Sequence, residues 1–152
     1  MRFLTMTTYG VKAMVDLALH EGQGPTPVAA IAKRQGIPVL SLGQVLHRLR
    51  RGGLVVAERG ARGGYQLARA PERISVADVT QVFEAKPARG TRTGTRAPEA
   101  GAAVQRATGL LWTRMEGAIA TALGTTTLAE LAAEARRQQT DDAVHHTFTF
   151  HI

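Results

Sequence analysis

Hydrophobic and polar positions along the chain fall into blocks with distinct periods. From Thr8 to Leu19, the positions Tyr9, Ala13, Met14, Leu17 and Ala18 recur at three- and four-residue spacing. That spacing predicts a helix with one apolar face, ended by Gly22-Gln23-Gly24-Pro25. Thr26 reads as an N-cap with Pro27 at the first helical position, and Gly36 as a left-handed stop. Together they predict a short second helix over Pro27–Gln35, with Val28, Ile31 and Ala32 inward. After the tight link Gly36-Ile37-Pro38, a third helix is predicted over Leu40–Arg51. Leu42, Val45, Leu46 and Leu49 lie on one side and Ser41, Gln44, His47, Arg48 and Arg51 on the other, before Gly52-Gly53.

The period then shortens. Leu54–Arg59 and Gly64–Leu67 are β-prone runs flanking Gly60-Ala61-Arg62-Gly63, which predicts a hairpin with a basic tip. Ser75 caps a further helix with the stripe Val76, Val79, Val82 and Phe83. The fold class expected is mainly α with a small β-hairpin: a winged helix-turn-helix domain over residues 1–84, followed by a long helix. Residues 85–103 have no hydrophobic period and read as a long loop. Val104–Leu123 carries Ala107, Leu110, Leu111, Met115, Ala118, Ile119 and Ala122 on a broad stripe suited to a dimerisation helix. A short helix capped by Thr127 should run from Leu128 to Arg137, completing a unit over 104–137. The tail, 138–152, is expected to be loosely ordered.

Charge narrows the partners. The 152 residues hold 19 Lys and Arg against 12 Asp and Glu, a formal charge of +7, which favours an anionic partner. No run approaches the ~18 apolar residues of a membrane span, and Met1-Arg2-Phe3-Leu4-Thr5 lacks the pattern of a signal peptide. A cytoplasmic protein with no membrane partner is the expectation. Cysteine is absent, which excludes disulfides, thiolate zinc sites and cysteine nucleophiles.

A helix pair joined by a tight turn and followed by a basic, glycine-tipped hairpin is the winged variant of helix-turn-helix, whose last helix enters the major groove of duplex DNA. Gln44 suits adenine through its bidentate amide, and Arg48 and Arg51 suit phosphate or guanine. Arg59 and Arg62, with Gly63 beside them, would lie against the backbone or minor groove. Taken singly, each is also an ordinary solvated position; it is their joint arrangement that points to DNA. The run Arg59–Tyr65 is not a nucleotide loop, because a strand rather than a helix follows it. No Ser or Thr has the base and orienting partner of a nucleophilic enzyme, so no catalytic residue is expected. His145, His146 and His151 match no common metal spacing, and Trp112 and Met115 sit at the spacing of interface packing. A protein-interaction module without DNA binding and a metal-responsive regulator using the tail histidines remain as alternatives. Membrane-surface binding lacks interleaved bulky hydrophobics between Ala85 and Gly101.

Four segments, Tyr9–Ala18, Ile31–Ile37, Leu46–Val55 and Arg59–Ala68, closely resemble the IscR/NsrR-type winged-helix repressors. The resemblance continues through Ile74–Glu84, Leu111-Trp112 and Thr127–Leu131. It implies a homodimer whose long C-terminal helix crosses to its partner, bound to a roughly palindromic operator. It also implies a 2Fe-2S cluster held by three cysteines in the loop before the long helix. Here that region carries Ala88, Thr93, Ala102, Ala103 and Arg106, and Gly109 stands three before Trp112, where one branch has a histidine ligand. With no thiolate donors, no cofactor is expected. On the reading helix, Pro38, Ser41 and Gly43 depart from the family pattern while Gln44 is retained, which implies a different operator.

Overall fold

The computed structural model describes residues 5–84 and 101–147. Its elements are α1 (Thr5–Leu19), α2 (Val28–Gln35), α3 (Val39–Arg51), β1 (Val55–Glu58), β2 (Gly64–Leu67), a 3-10 turn at Pro71–Arg73, α4 (Val76–Phe83), α5 (Ala102–Thr125) and α6 (Leu128–Thr147). The order is the one the periodicity predicts: three helices, an antiparallel hairpin, and helices after it. The expected loop falls mostly outside the described residues, as do Ala88 and Thr93.

The core closes around the apolar stripes. Ala13, Met14, Leu17 and Ala18 of α1 meet Ile31 and Ala32 of α2, Leu42, Val45, Leu46 and Leu49 of α3, and Val79 and Phe83 of α4, all buried. Gly10 lets α1 and α4 come this close, because a Cβ there would run into Cε2 and Cζ of the Phe83 ring. Ser75 caps α4 reciprocally with Asp78: the Asp78 N–H donates to Ser75 Oγ at 3.1 Å, and the Ser75 N–H donates to Asp78 Oδ2 at 3.0 Å.

Other element ends shift by one to three residues, and three larger features differ from the expectation, each for a physical reason. Thr26 is not the cap of α2. Its backbone is committed to a bridge with Tyr65, so Pro27 takes the cap position and the helix begins at Val28. The last helix does not stop at Arg137 but runs ten residues further, to Thr147. No glycine or proline interrupts 138–147, and the Gln138 amide donates to Glu134 one turn back at 3.1 Å, so the helix propagates through what was expected to be tail. Finally, α6 belongs to the core of the winged-helix domain. Leu128 and Ala132 are buried, Val76 N–H donates to the Thr126 carbonyl, and Leu128 N–H donates to the Ile74 carbonyl, both at 2.9 Å. Thr127 caps α6 as expected, in a reciprocal pair with Glu130.

Among the described residues, one charged group is buried in this core. Asp16 of α1 is 1% exposed and accepts from Arg34 Nε at 2.9 Å, Arg34 Nη2 at 2.6 Å and Gln35 Nε2 at 2.7 Å. The bidentate pair clasps α1 to the C-terminal turn of α2. Hydrogen bonds donated to Asp16 hold the Arg34 pKa above its ordinary value, against a smaller opposing effect of burial.

Candidate nucleic-acid interface

Burial of Leu42, Val45, Leu46 and Leu49 fixes how α3 is rotated, and so which residues it offers to solvent. Gln44, His47, Arg48 and Arg51 are all exposed and line one shallow groove with Leu40 and Gly43. Leu40, Gln44, His47 and Arg51 follow one another at spacings of four, three and four, a single stripe along the helix. Ser41 is half-buried and lies outside that groove, about 100° around the helix from Leu40. The helix begins at Val39 behind Pro38, so its first exposed turn presents Leu40. Periodicity could have found Leu40 as the start of the polar stripe, but its apolar side chain disguised it.

The hairpin pairs Val55 with Leu67, Val56 with Gln66, Ala57 with Tyr65 and Glu58 with Gly64. Its tip is closed by the Gly63 N–H donating to the Gly60 carbonyl at 2.9 Å. A Cβ on Gly63 would lie 2.5 Å from the Glu58 carbonyl oxygen, so glycine there is required by the turn itself. Arg59, just before this turn, and Arg62, within it, are both exposed.

What orients the wing is its attachment to the second helix. Thr26 N–H donates to the Tyr65 carbonyl and Tyr65 N–H to the Thr26 carbonyl, both at 2.8 Å, and Gly64 packs directly on the Thr26 carbonyl and Pro27 nitrogen. The cleft this leaves is lined by Pro27, Val28, Arg50, Arg59 and Tyr65, among others. Arg50, absent from the candidate residues, thus sits between reading helix and wing; the basic run Arg48–Arg51 was its signal in the sequence. None of Arg48, Arg50, Arg51, Arg59 and Arg62 pairs with a described carboxylate.

The long helix α5 has no buried residue along its 24 positions. Val104, Leu110, Leu111, Trp112 and Met115 are 43–66% exposed on a helix about 36 Å long, with Val104, Leu111 and Met115 sharing one face. Among the described residues no helix is long and apolar enough to cross a membrane.

Residues 3–134 match the model of the family described as Rrf2, iron-dependent transcriptional regulator. The chain belongs to the Rrf2 family. Among Rrf2 relatives, the transcriptional regulator IscR of Erwinia tasmaniensis is 41% identical over 133 residues, covering 86% of this chain and 78% of that one. IscR of Xenorhabdus nematophila is 46% identical over 84 residues. In that higher-identity match the alignment spans 51% of the relative, so the chain covers about half its length. The solved structure of T. potens IscR superposes with a TM-score of 0.74 at 35% identity, covering 91% of each chain. That of CymR, the global cysteine regulator of B. subtilis, superposes at 0.73 and 32% identity, covering 88% of this chain and 98% of that one. The winged-helix architecture is therefore that of Rrf2 regulators, and the relatives are regulators rather than enzymes.

The family description raises the question of iron. The chain contains no cysteine, and among the described residues no three His, Cys, Asp or Glu side chains converge as metal ligands. Ala102, Ala103, Arg106 and Gly109 all lie on the first turns of α5 and offer no donor of the kind that holds an iron–sulfur cluster. The residues present do not fit a thiolate-held cluster. His145 and His146 fall on the last turn of α6, while His151 lies outside the described residues.

Proposed function

We propose that this chain is a sequence-specific DNA-binding transcription regulator, a repressor, that acts as a homodimer on a roughly palindromic operator without an iron–sulfur cluster. The observation that carries the reading is the exposed stripe of α3, Gln44, His47 and Arg51 with Arg48 beside it, together with a basic-tipped wing that the Thr26–Tyr65 bridge pins to the start of α2. With the wing held against the helix pair, α3 enters a major groove while Arg59 and Arg62 reach the flanking backbone. Gln44 supplies base recognition and the arginines supply phosphate contacts. The apolar face of α5 supplies the dimer, and a two-fold axis there turns one half-site into an inverted pair. Without cluster ligands, regulation runs through something other than cluster assembly.

Gel shifts on operator and random duplexes across a salt series test the reading. If Arg48, Arg51, Arg59 and Arg62 of both subunits neutralise phosphates, the slope of log K against log salt is about −7. Gln44→Ala should weaken operator binding and spare random duplex, whereas Arg62→Ala should weaken both and flatten the slope by about 2 in the dimer. Equal loss of both variants on both duplexes overturns the division of roles. No shift of any duplex at physiological salt favours a protein-interaction module. Sedimentation of the free protein as a monomer at micromolar concentration overturns the dimer.

A further inference from the structure

We infer that Leu40 is a specificity-determining residue that reads the 5-methyl group of a thymine in each half-site. The inference rests on the DNA-binding reading above. Leu40 is 86% exposed, the most exposed large hydrophobic side chain among the described residues, and it contributes nothing to the core. The other side chains of its groove are Gln44, His47, Arg48 and Arg51, which follow it along the helix, while the exposed Val39 stands next to it outside that groove. A leucine at the head of a polar and cationic stripe differs from the several exposed apolar residues along α5. It matches the major groove, where the thymine methyl is the one apolar feature on the edge of a base pair.

The geometry supports a definite neighbour. Leu40 precedes Gln44 by one turn, so their Cβ atoms are about 6 Å apart, and at about 3.4 Å per base the two address base pairs one or two steps apart. Leu40 lies in the first turn of α3, the end of a reading helix that contacts base edges. Gly43, three residues on, lines the same groove and sets no side chain beside the leucine. The isobutyl group can therefore meet a base edge unscreened by its own helix.

The test uses the full chain and the operator recovered by selection from a random duplex pool. Each thymine is replaced in turn by deoxyuridine, which keeps every hydrogen-bonding group and removes only the methyl. One position per half-site should cost the wild type about fourfold in affinity, the factor for burying one methyl-sized group. Leu40→Ala should be insensitive at that position alone, with unchanged thermal unfolding because the side chain is exposed. A wild type indifferent to every methyl, a selected site with no fixed thymine, or a Leu40→Ala protein that keeps the methyl dependence would overturn the assignment. So would a drop in the oligomeric state of the free Leu40→Ala protein, which would make the leucine a self-contact. Failure of the DNA-binding reading looks different: no duplex is then selected at all.

Discussion

Arg34→Ala removes both guanidinium donors from Asp16 and leaves that carboxylate, 1% exposed, with Gln35 as its remaining side-chain donor. Stranding a buried charge costs about 3–5 kcal/mol where water cannot reach it. The Arg34 side chain is 36% exposed, so its removal opens a path for water, and the penalty falls to about 2 kcal/mol. Urea unfolding followed by circular dichroism at fixed protein concentration measures it; the thermal midpoint should drop by about 4–8 °C for a chain of this size. The diagnostic step is a second change. Adding Asp16→Asn to Arg34→Ala removes the stranded charge and should recover about 1 kcal/mol, although it is a second mutation in the core. A double variant less stable than Arg34→Ala would refute the account, since the cost would then lie in lost packing. The pH dependence has a fixed sign. A pKa raised in the folded state contributes stability that is complete below the ordinary value and lost only as pH climbs through the raised one. For a guanidinium that window lies above working conditions, so the difference between wild type and Arg34→Ala should be flat between about pH 8 and 10.

Gly43→Ala should stabilise α3 by about 0.5–1 kcal/mol, because its Cβ enters open space, while lowering operator affinity where that methyl stands between the helix and the duplex; unchanged or reduced stability in urea unfolding would contradict this. Gly64→Ala drives a methyl into the Thr26 carbonyl and should break the two bridging hydrogen bonds, at about 2 kcal/mol, visible as faster hydrogen exchange of the Thr26 and Tyr65 amides. Trp112→Glu, on the exposed face of α5, should shift the free protein toward monomer in sedimentation and leave its helical content unchanged.

Much of the candidate interface was legible because it follows from local rules. The inward leucines and valine of α3 recur at helical spacing, so an outward set of Ser41, Gln44, His47, Arg48 and Arg51 followed without tertiary information, and of these the fold leaves Ser41 half-buried outside the shared groove. The glycines at 60 and 63 marked the hairpin tip for the same reason. Leu40 and Arg50 were missed. A sequence pattern sorts residues by polarity, and Leu40 is an apolar residue at a position that its spacing from Gln44 and His47 already put on the outward face, so its residue type hid what the spacing carried. Arg50 faces a cleft created by the wing, an element that begins five residues later.

By itself, then, the sequence determined the element order, the caps at Ser75 and Thr127, the rotation of the reading helix and the absence of any thiolate ligand. These depend on residue type and short-range spacing. Tertiary structure alone decided three other things. Asp16 became a buried anchor because α2 brings Arg34 and Gln35 across to it. Thr26 became the hinge point of the wing rather than a helix cap because Tyr65, 39 positions away, takes up its backbone groups. And α6 joined the core while α5 was left bare, because the Thr126–Leu128 link pairs with Ile74 and Val76 and turns the chain back onto α1. Each depends on which distant backbone or side chain arrives as partner, and no periodicity within a segment carries that information.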